Sequence, residues 1–236
     1  MLRLIALSVV FLLAACSANM APVVELKWHP NRVNQKVHVV RRGETLYAIA
    51  FRYDTDYRQL AALNHLRSPY SLRVGQVVHL RTGYTPPVTR LKPLVSRTLV
   101  QKKVLPVYYS PKNSSGRWHW PVNGRVVTQF IPQSGKKGID IAGKKGEQVH
   151  AASNGVVAYA GSGLLGYGNL IIIKHSDQFL TAYGNNSRNN VKEGQKVKAG
   201  QVIAEIGLID RKYWGVHFEI RKSGRPVNPL TFLKTG

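Results

Sequence analysis

The 236-residue chain holds one cysteine, Cys16, so no internal disulfide can staple it. Acidic residues are also scarce: 11 Asp+Glu face 34 Lys+Arg, a formal net charge of +23. No apolar run reaches the roughly 20 residues that a helix needs to cross a bilayer. The run Leu4 to Leu13 behind the lone Arg3 is too short, and with the small residues after it reads as a secretory signal. No RNA-binding or helix-turn-helix signature interleaves the basic residues, so nucleic acid is not the expected partner. A field this positive attracts polyanions in general, and for an exported chain these are lipid headgroups, glycan phosphates and wall carboxylates. The hydrophobic content of 44% suffices for one or two small cores.

The stretch Leu13-Ala14-Ala15-Cys16 resembles the bacterial lipobox, which implies cleavage before Cys16 and acylation of that residue. The expected division is a signal peptide over 1–15 and a tether over 16–35. Several acyl chains anchor durably where one is marginal. By resemblance to enterobacterial sorting, Ser17 after the cysteine implies the outer membrane, with the protein facing the periplasm.

Residues 36–81 form the next expected unit. Val37 and Val39 alternate like a strand, and so do Val78 and Leu80. Between them Leu46, Ile49, Ala50 and Tyr53 mark one helix face behind Thr45 as N-cap, and Asp56 followed by Gln59 predicts the start of a second helix. The order is βααβ. With Gly43-Glu44-Thr45-Leu46, Ile49-Ala50, Leu60, Asn64, Leu66, Pro69 and Val74-Gly75-Gln76, this unit resembles the LysM family, binders of peptidoglycan and chitin. The resemblance implies an N-acetylglucosamine groove between Arg42–Leu46 and Ser68–Gln76, with Gly43, Glu44, Thr45, Leu46, Tyr70 and Gly75 as glycan-binding residues. On residue type alone Gly43 and Gly75 also read as turn choices, Leu46 as core, and Tyr70 as either a sugar-stacking ring or half-buried packing.

Residues 82–117 carry Pro86, Pro87, Pro93, Pro106 and Pro111 among basic residues with no acidic one, the composition of an extended linker. From 118 to 236, β-branched runs such as Gly155–Gly161, Gly168–His175 and Gln201–Gly207 alternate with glycine turns, which predicts an antiparallel β domain. His175–Gln178 suits a hairpin, and Val191–Ala199 holds another turn. The expected fold class of the whole chain is α+β.

Gly138-Ile139-Asp140-Ile141, Gly155-Val156-Val157, Tyr167-Gly168-Asn169, Tyr183, Val191–Val197, Gly200-Gln201 and Val216-His217-Phe218-Glu219 make this domain similar to the lysostaphin/LytM-type zinc peptidase family. Together with the lipobox and the LysM-like unit, it resembles the NlpD branch, envelope lipoproteins that switch on N-acetylmuramyl-L-alanine amidases in cell division. That resemblance implies peptidoglycan, a periplasmic amidase and, through the lipid anchor, the membrane as partners. The family's three zinc ligands fall on Lys136, Asp140 and His217, and its two catalytic histidines on Asn185 and Gly215. A protonated Lys136 has no lone pair to offer a metal, Gly215 offers no group, and Asn185 trades no proton near neutral pH. The expectation is therefore no cofactor and no catalytic residue. The alternative is a zinc metalloendopeptidase cleaving peptide crosslinks, its site rebuilt around Asp140 and His217 with His119, His150 or His175. A third reading is a passive wall anchor. In the activator reading, Lys136, Asp140, Asn185, Trp214, Gly215 and His217 line a partner-docking cleft, with Lys136 paired to Asp140 and His217 left as a hydrogen-bonding core residue.

Overall fold

A computed structural model describes residues 35–80 and 118–233; the expected signal peptide, Cys16, most of the tether and the linker lie outside the described residues. The architecture is α+β.

The small unit runs β1 (Val37–Val39), α1 (Leu46–Arg52), α2 (Tyr57–Leu63) and β2 (Val77–His79). Each helix starts where a side-chain oxygen takes up an orphan backbone donor. Thr45 accepts from the Ala48 amide, and Asp56 from that of Arg58. Leu46, Ile49 and Ala50 are buried, as their spacing requires. The strand differs from the sequence expectation. His38 and Val40 point inward, while Val39 is 53% exposed. A buried polar ring is tolerated only with partners, and His38 has two: Nε2 lies 2.6 Å from Glu44 and Nδ1 lies 3.0 Å from the Tyr53 hydroxyl.

The second unit is a twisted antiparallel sheet. Its strands are β3 (Arg125–Thr128), β4 (Ile139–Ala142), β5 (Gln148–His150), β6 (Gly155–Gly161), β7 (Asn169–Lys174), β8 (Phe179–Asn189), β9 (Lys196–Val197), β10 (Val202–Ile209), β11 (Tyr213–Lys222) and β12 (Arg225–Val227). The main order is β3-β4-β11-β10-β8-β7-β6-β9, with β11 also pairing β8 and β12, and β5 pairing β10. The turn 175–178 joins β7 to β8, with the Ser176 hydroxyl capping the amides of Gln178 and Phe179. One core gathers Ile139, Ile141, Val149, Ile171, Ile173, Val216, Phe218 and Ile220, all fully buried.

The two units share a buried seam. Ala48 and Phe51 of α1 pack into a cluster with Ala158, Tyr159, Leu164, Leu170, Ile172, Leu180 and Ala182. A helix this short, seven residues, is marginal alone, and its other face, Leu46, Ile49 and Ala50, is held by the small unit's own core.

Candidate functional site

Alternation along β11 sends Val216, Phe218 and Ile220 into the core, and Gly215, His217, Glu219 and Arg221 to the opposite face. Register then sets the neighbours: His217 pairs with Asp140 of β4 on one side and with Gly184 of β8 on the other. The His217 ring lies between two carboxylates, with Nδ1 2.6 Å from Asp140 Oδ1 and Nε2 3.0 Å from Glu219 Oε1. The Tyr213 hydroxyl donates to Asp140 at 3.1 Å, and the Tyr167 hydroxyl to Glu219 at 3.0 Å. Arg221 donates through Nε to Glu219 at 2.6 Å and through Nη1 to Asp54 of the small unit; Asp54 also takes Lys137.

An acceptor at each ring nitrogen makes both nitrogens donors, the imidazolium form. Burial opposes that charge, but the hydrogen bonds to Asp140 and Glu219 and their negative charge outweigh it and raise the His217 pKa to about 9. Burial likewise pushes Glu219 up, yet Arg221 and His217 prevail and hold it at about 2. Asp140 is also lowered, the hydrogen bonds from His217, Thr128 and Tyr213 outweighing its burial. Tyr167 is raised well above its ordinary value by burial and by Glu219.

Above this chain opens a cavity of about 170 Å³ whose walls include Lys137, Asp140, Tyr167, Asn185, Asp210 and His217. Asp140, Asn185 and His217 thus come together on the wall of one cavity. Lys136 is exposed beside the cavity, and its backbone pairs with Ile131. The ion pair expected between Lys136 and Asp140 does not form; the cation beside Asp140 is His217. Trp214 lies on the other face of β11, half-buried against the core, with the Lys145 ammonium 5.5 Å from its ring centroid. Gly215 has no room for a side chain: a Cβ there would lie 2.5 Å from the Ile141 carbonyl oxygen. Asn185 occupies a left-handed turn, φ 59°, at an irregularity in β8, a conformation that asparagine tolerates better than most residues.

His119, His150 and His175, the three candidates for a rebuilt metal site, do not line this cavity. His175 is buried with Nδ1 2.7 Å from the Asn154 carbonyl and Nε2 2.7 Å from the Thr181 hydroxyl, and burial lowers its pKa to about 4. His150 sits 3.4 Å from the Pro121 carbonyl, and His119 is exposed.

In the small unit, Gly43, Gly75 and Tyr70 remain open or half-open to solvent. Tyr70 closes a ring cluster with Tyr47 and Tyr57, at centroid distances of 6.1 and 5.9 Å. Leu46 is core. Glu44 turns inward to His38 and to Arg52, 3.0 Å away. The Thr45 hydroxyl caps α1 and donates to the Ala158 carbonyl of the β domain at 3.1 Å.

Residues 134–229 match the model of peptidase family M23, and residues 38–81 that of the LysM domain. A lipoprotein NlpD/LppB homolog of Pseudomonas aeruginosa is 38% identical, the match covering 83% of this chain and 76% of that one. The lipoprotein YgeR of Escherichia coli is 37% identical over 96% of this chain and 90% of its own length. The murein hydrolase activator NlpD of the same bacterium is 34% identical over 83% of this chain and 67% of its own. The chain belongs to the NlpD family of lipoproteins.

Peptidases of the M23 family typically depend on zinc, so whether this NlpD-family groove fits that ion is a direct question. Two atoms bound to one tetrahedral zinc at about 2.0–2.1 Å stand roughly 3.3 Å apart. Asp140 Oδ1 and His217 Nδ1 stand at 2.6 Å, in direct contact. With Lys136 turned to solvent, the donors as arranged do not fit zinc, and among the described residues no cluster of His, Cys, Asp or Glu is arranged to hold a metal. Glu219, Tyr167, Arg221 and Asp54 are the site members that the sequence reading did not assign. For Glu219 the alternation with His217 is the signal; for Asp54 no local signal exists.

Proposed function

We propose that this chain is a peptidoglycan-bound envelope lipoprotein that activates an N-acetylmuramyl-L-alanine amidase without hydrolysing peptidoglycan itself. In this reading residues 1–15 are removed, Cys16 carries the lipid, 16–35 tether the LysM domain of 36–81, and 82–117 link it to the degenerate peptidase domain of 118–236. Ser17 directs the anchor to the outer membrane. Open LysM residues such as Gly43, Tyr70 and Gly75 meet the glycan, and the groove around Asp140, Asn185 and His217 receives the amidase, with Lys136 at its margin; Trp214, on the other face of β11, takes no part in it.

The observation that carries the reading is the direct 2.6 Å contact between Asp140 and His217. A groove whose two remaining donor residues are bonded to each other has nothing free to activate water, but it keeps its shape for recognition. Relatives named as murein hydrolase activators point the same way.

The test uses the soluble chain beginning at Ser17 on dye-labelled sacculi, with and without a periplasmic amidase. Dye release only in the presence of amidase supports the activator. Release by the chain alone, abolished by a chelator, overturns it in favour of the metalloendopeptidase. No effect in either arm leaves the passive anchor. Deleting residues 36–81 is expected to abolish pelleting with sacculi, whereas deleting 118–236 leaves it intact.

A further inference from the structure

The LysM domain does more in this fold than carry the groove to the wall. Asp54, in the turn between α1 and α2, receives both Arg221 and Lys137. Arg221 is 1% exposed and lies with its guanidinium carbon 4.3 Å from the centroid of the Phe51 ring of α1. Phe51 in turn meets Tyr167 edge-on at 5.3 Å, and Tyr167 is both a wall of the groove and a partner of Glu219. Two contiguous paths therefore run from the LysM domain to His217. One passes through Asp54, Arg221 and Glu219, the other through Phe51 and Tyr167. Next to them the turn at Gly224 abuts Thr55 so tightly that a Cβ there would lie 2.2 Å from the Thr55 carbonyl carbon.

A guanidinium this deeply buried requires its charge to be met on every side, and Glu219 covers only part of it. The remaining partner comes from the other domain. Seating the LysM domain thus completes the charge lattice beneath the groove, and lifting it leaves Arg221 short of a carboxylate and Glu219 free to shift.

We propose that Asp54 is a positioning residue for the amidase-docking groove: the seated LysM domain, through the pair Asp54–Arg221, holds Glu219 and His217 in the arrangement that the amidase recognises. This rests on the activator reading for the identity of the docked partner, but not for the coupling between the domains.

Asp54→Asn tests it cleanly. The residue stands at φ 50°, which asparagine accepts, so the turn survives while the charge is lost. The expected result is unchanged pelleting with sacculi, an unchanged maximal amidase rate, and at least a ten-fold rise in the concentration giving half-maximal activation. Hydrogen exchange at amides 216–221 should speed up by ten-fold or more, while the α1 and α2 core amides stay as in the parent. Glu205→Gln, which removes a distant surface charge paired with Arg188, should change neither readout. An unchanged half-maximal concentration, or unchanged exchange in β11, overturns the proposal. Should the parent chain itself fail to activate any amidase, the activator reading falls, and exchange in β11 alone decides whether Asp54 holds the strand.

Discussion

Replacing Glu219 with alanine is the most informative single perturbation of the groove. Its carboxylate is fully buried and serves three donors: Arg221 at 2.6 Å, His217 at 3.0 Å and Tyr167 at 3.0 Å. Removing one partner of a buried ion pair costs about 3–5 kcal/mol, because the other charge stays behind uncompensated. The Tyr167 hydroxyl, itself buried, adds roughly 1 kcal/mol of lost hydrogen bonding. Asp54, with 34% of its side chain exposed, offsets part of the loss by keeping one carboxylate on Arg221. A net loss on the order of 4 kcal/mol is expected, which for a domain of this size lowers the melting temperature by roughly 15 °C. Asp140→Ala provides the contrast. Its carboxylate and the His217 ring are 12% and 19% exposed, so water replaces part of what is removed, and a loss of about 1–2 kcal/mol is expected. Thermal and urea unfolding of the soluble chain, followed by circular dichroism, measure both. A double variant, Glu219→Leu with Arg221→Met, should lose much less than the two single changes added together, since it leaves no lone buried charge. Glu219→Ala costing less than Asp140→Ala would refute the assignment of Glu219 as the buried keystone of this chain of charges.

Acid should weaken the β domain through His175. Its pKa of about 4 lies below the ordinary 6.5 because burial disfavours the charge. The unfolded chain therefore takes a proton first as pH falls; the contribution is fully present above 6.5 and lost on the way down to 4, on the order of 3 kcal/mol in all. His175→Gln should flatten that part of the stability profile, and an unchanged slope between pH 6.5 and 4 counts against it. Restoring the family's imidazoles should not restore a peptidase. Gly215→His drives a Cβ against the Ile141 carbonyl and is expected to cost about 1–3 kcal/mol on unfolding. Lys136→His places a ligand beside donors already bonded to each other, so calorimetric zinc titration should match the parent; tight one-to-one binding would sink this account.

Much of the fold can be read directly from the sequence, because it rests on local chemistry. Thr45 and Asp56 cap helices where their hydroxyl and carboxylate are needed, and the glycine-bounded β-branched runs became β6, β7 and β10. The inward face of β1 was not legible, since hydropathy favours Val37 and Val39 while the fold buries His38 against Glu44. Glu219 and Arg221 defeat hydropathy in the same way: each is a charge that pays for its burial only through partners set by strand register. Asp54 is harder still. Its contact with Arg221 spans 167 positions, and nothing near residue 54 announces it. Gly215 reads in sequence as a lost histidine, and only the packing of β11 on β4 shows a steric reason for the glycine.

The charges of the groove also explain how a chain of net charge +23 can carry a groove that is not itself a polyanion trap. Asp140, Glu219 and Asp54 alternate with His217, Arg221 and Lys137, so the lattice beneath the cavity is balanced within itself. A proton on His217 stands where a hydrolase would need a dication, and it holds Asp140 without leaving a coordination site open. The surplus of positive charge therefore lies elsewhere, on surfaces such as that carrying Arg41, Arg42 and Arg73, and in the acid-free segment 82–117. Under the proposed function, long-range attraction to an anionic wall or membrane and short-range recognition by the groove are thus separate. Raising the ionic strength screens the first strongly and the second weakly, because the groove pairs are buried. Binding to sacculi should accordingly fall with salt more steeply than amidase activation measured at saturating protein.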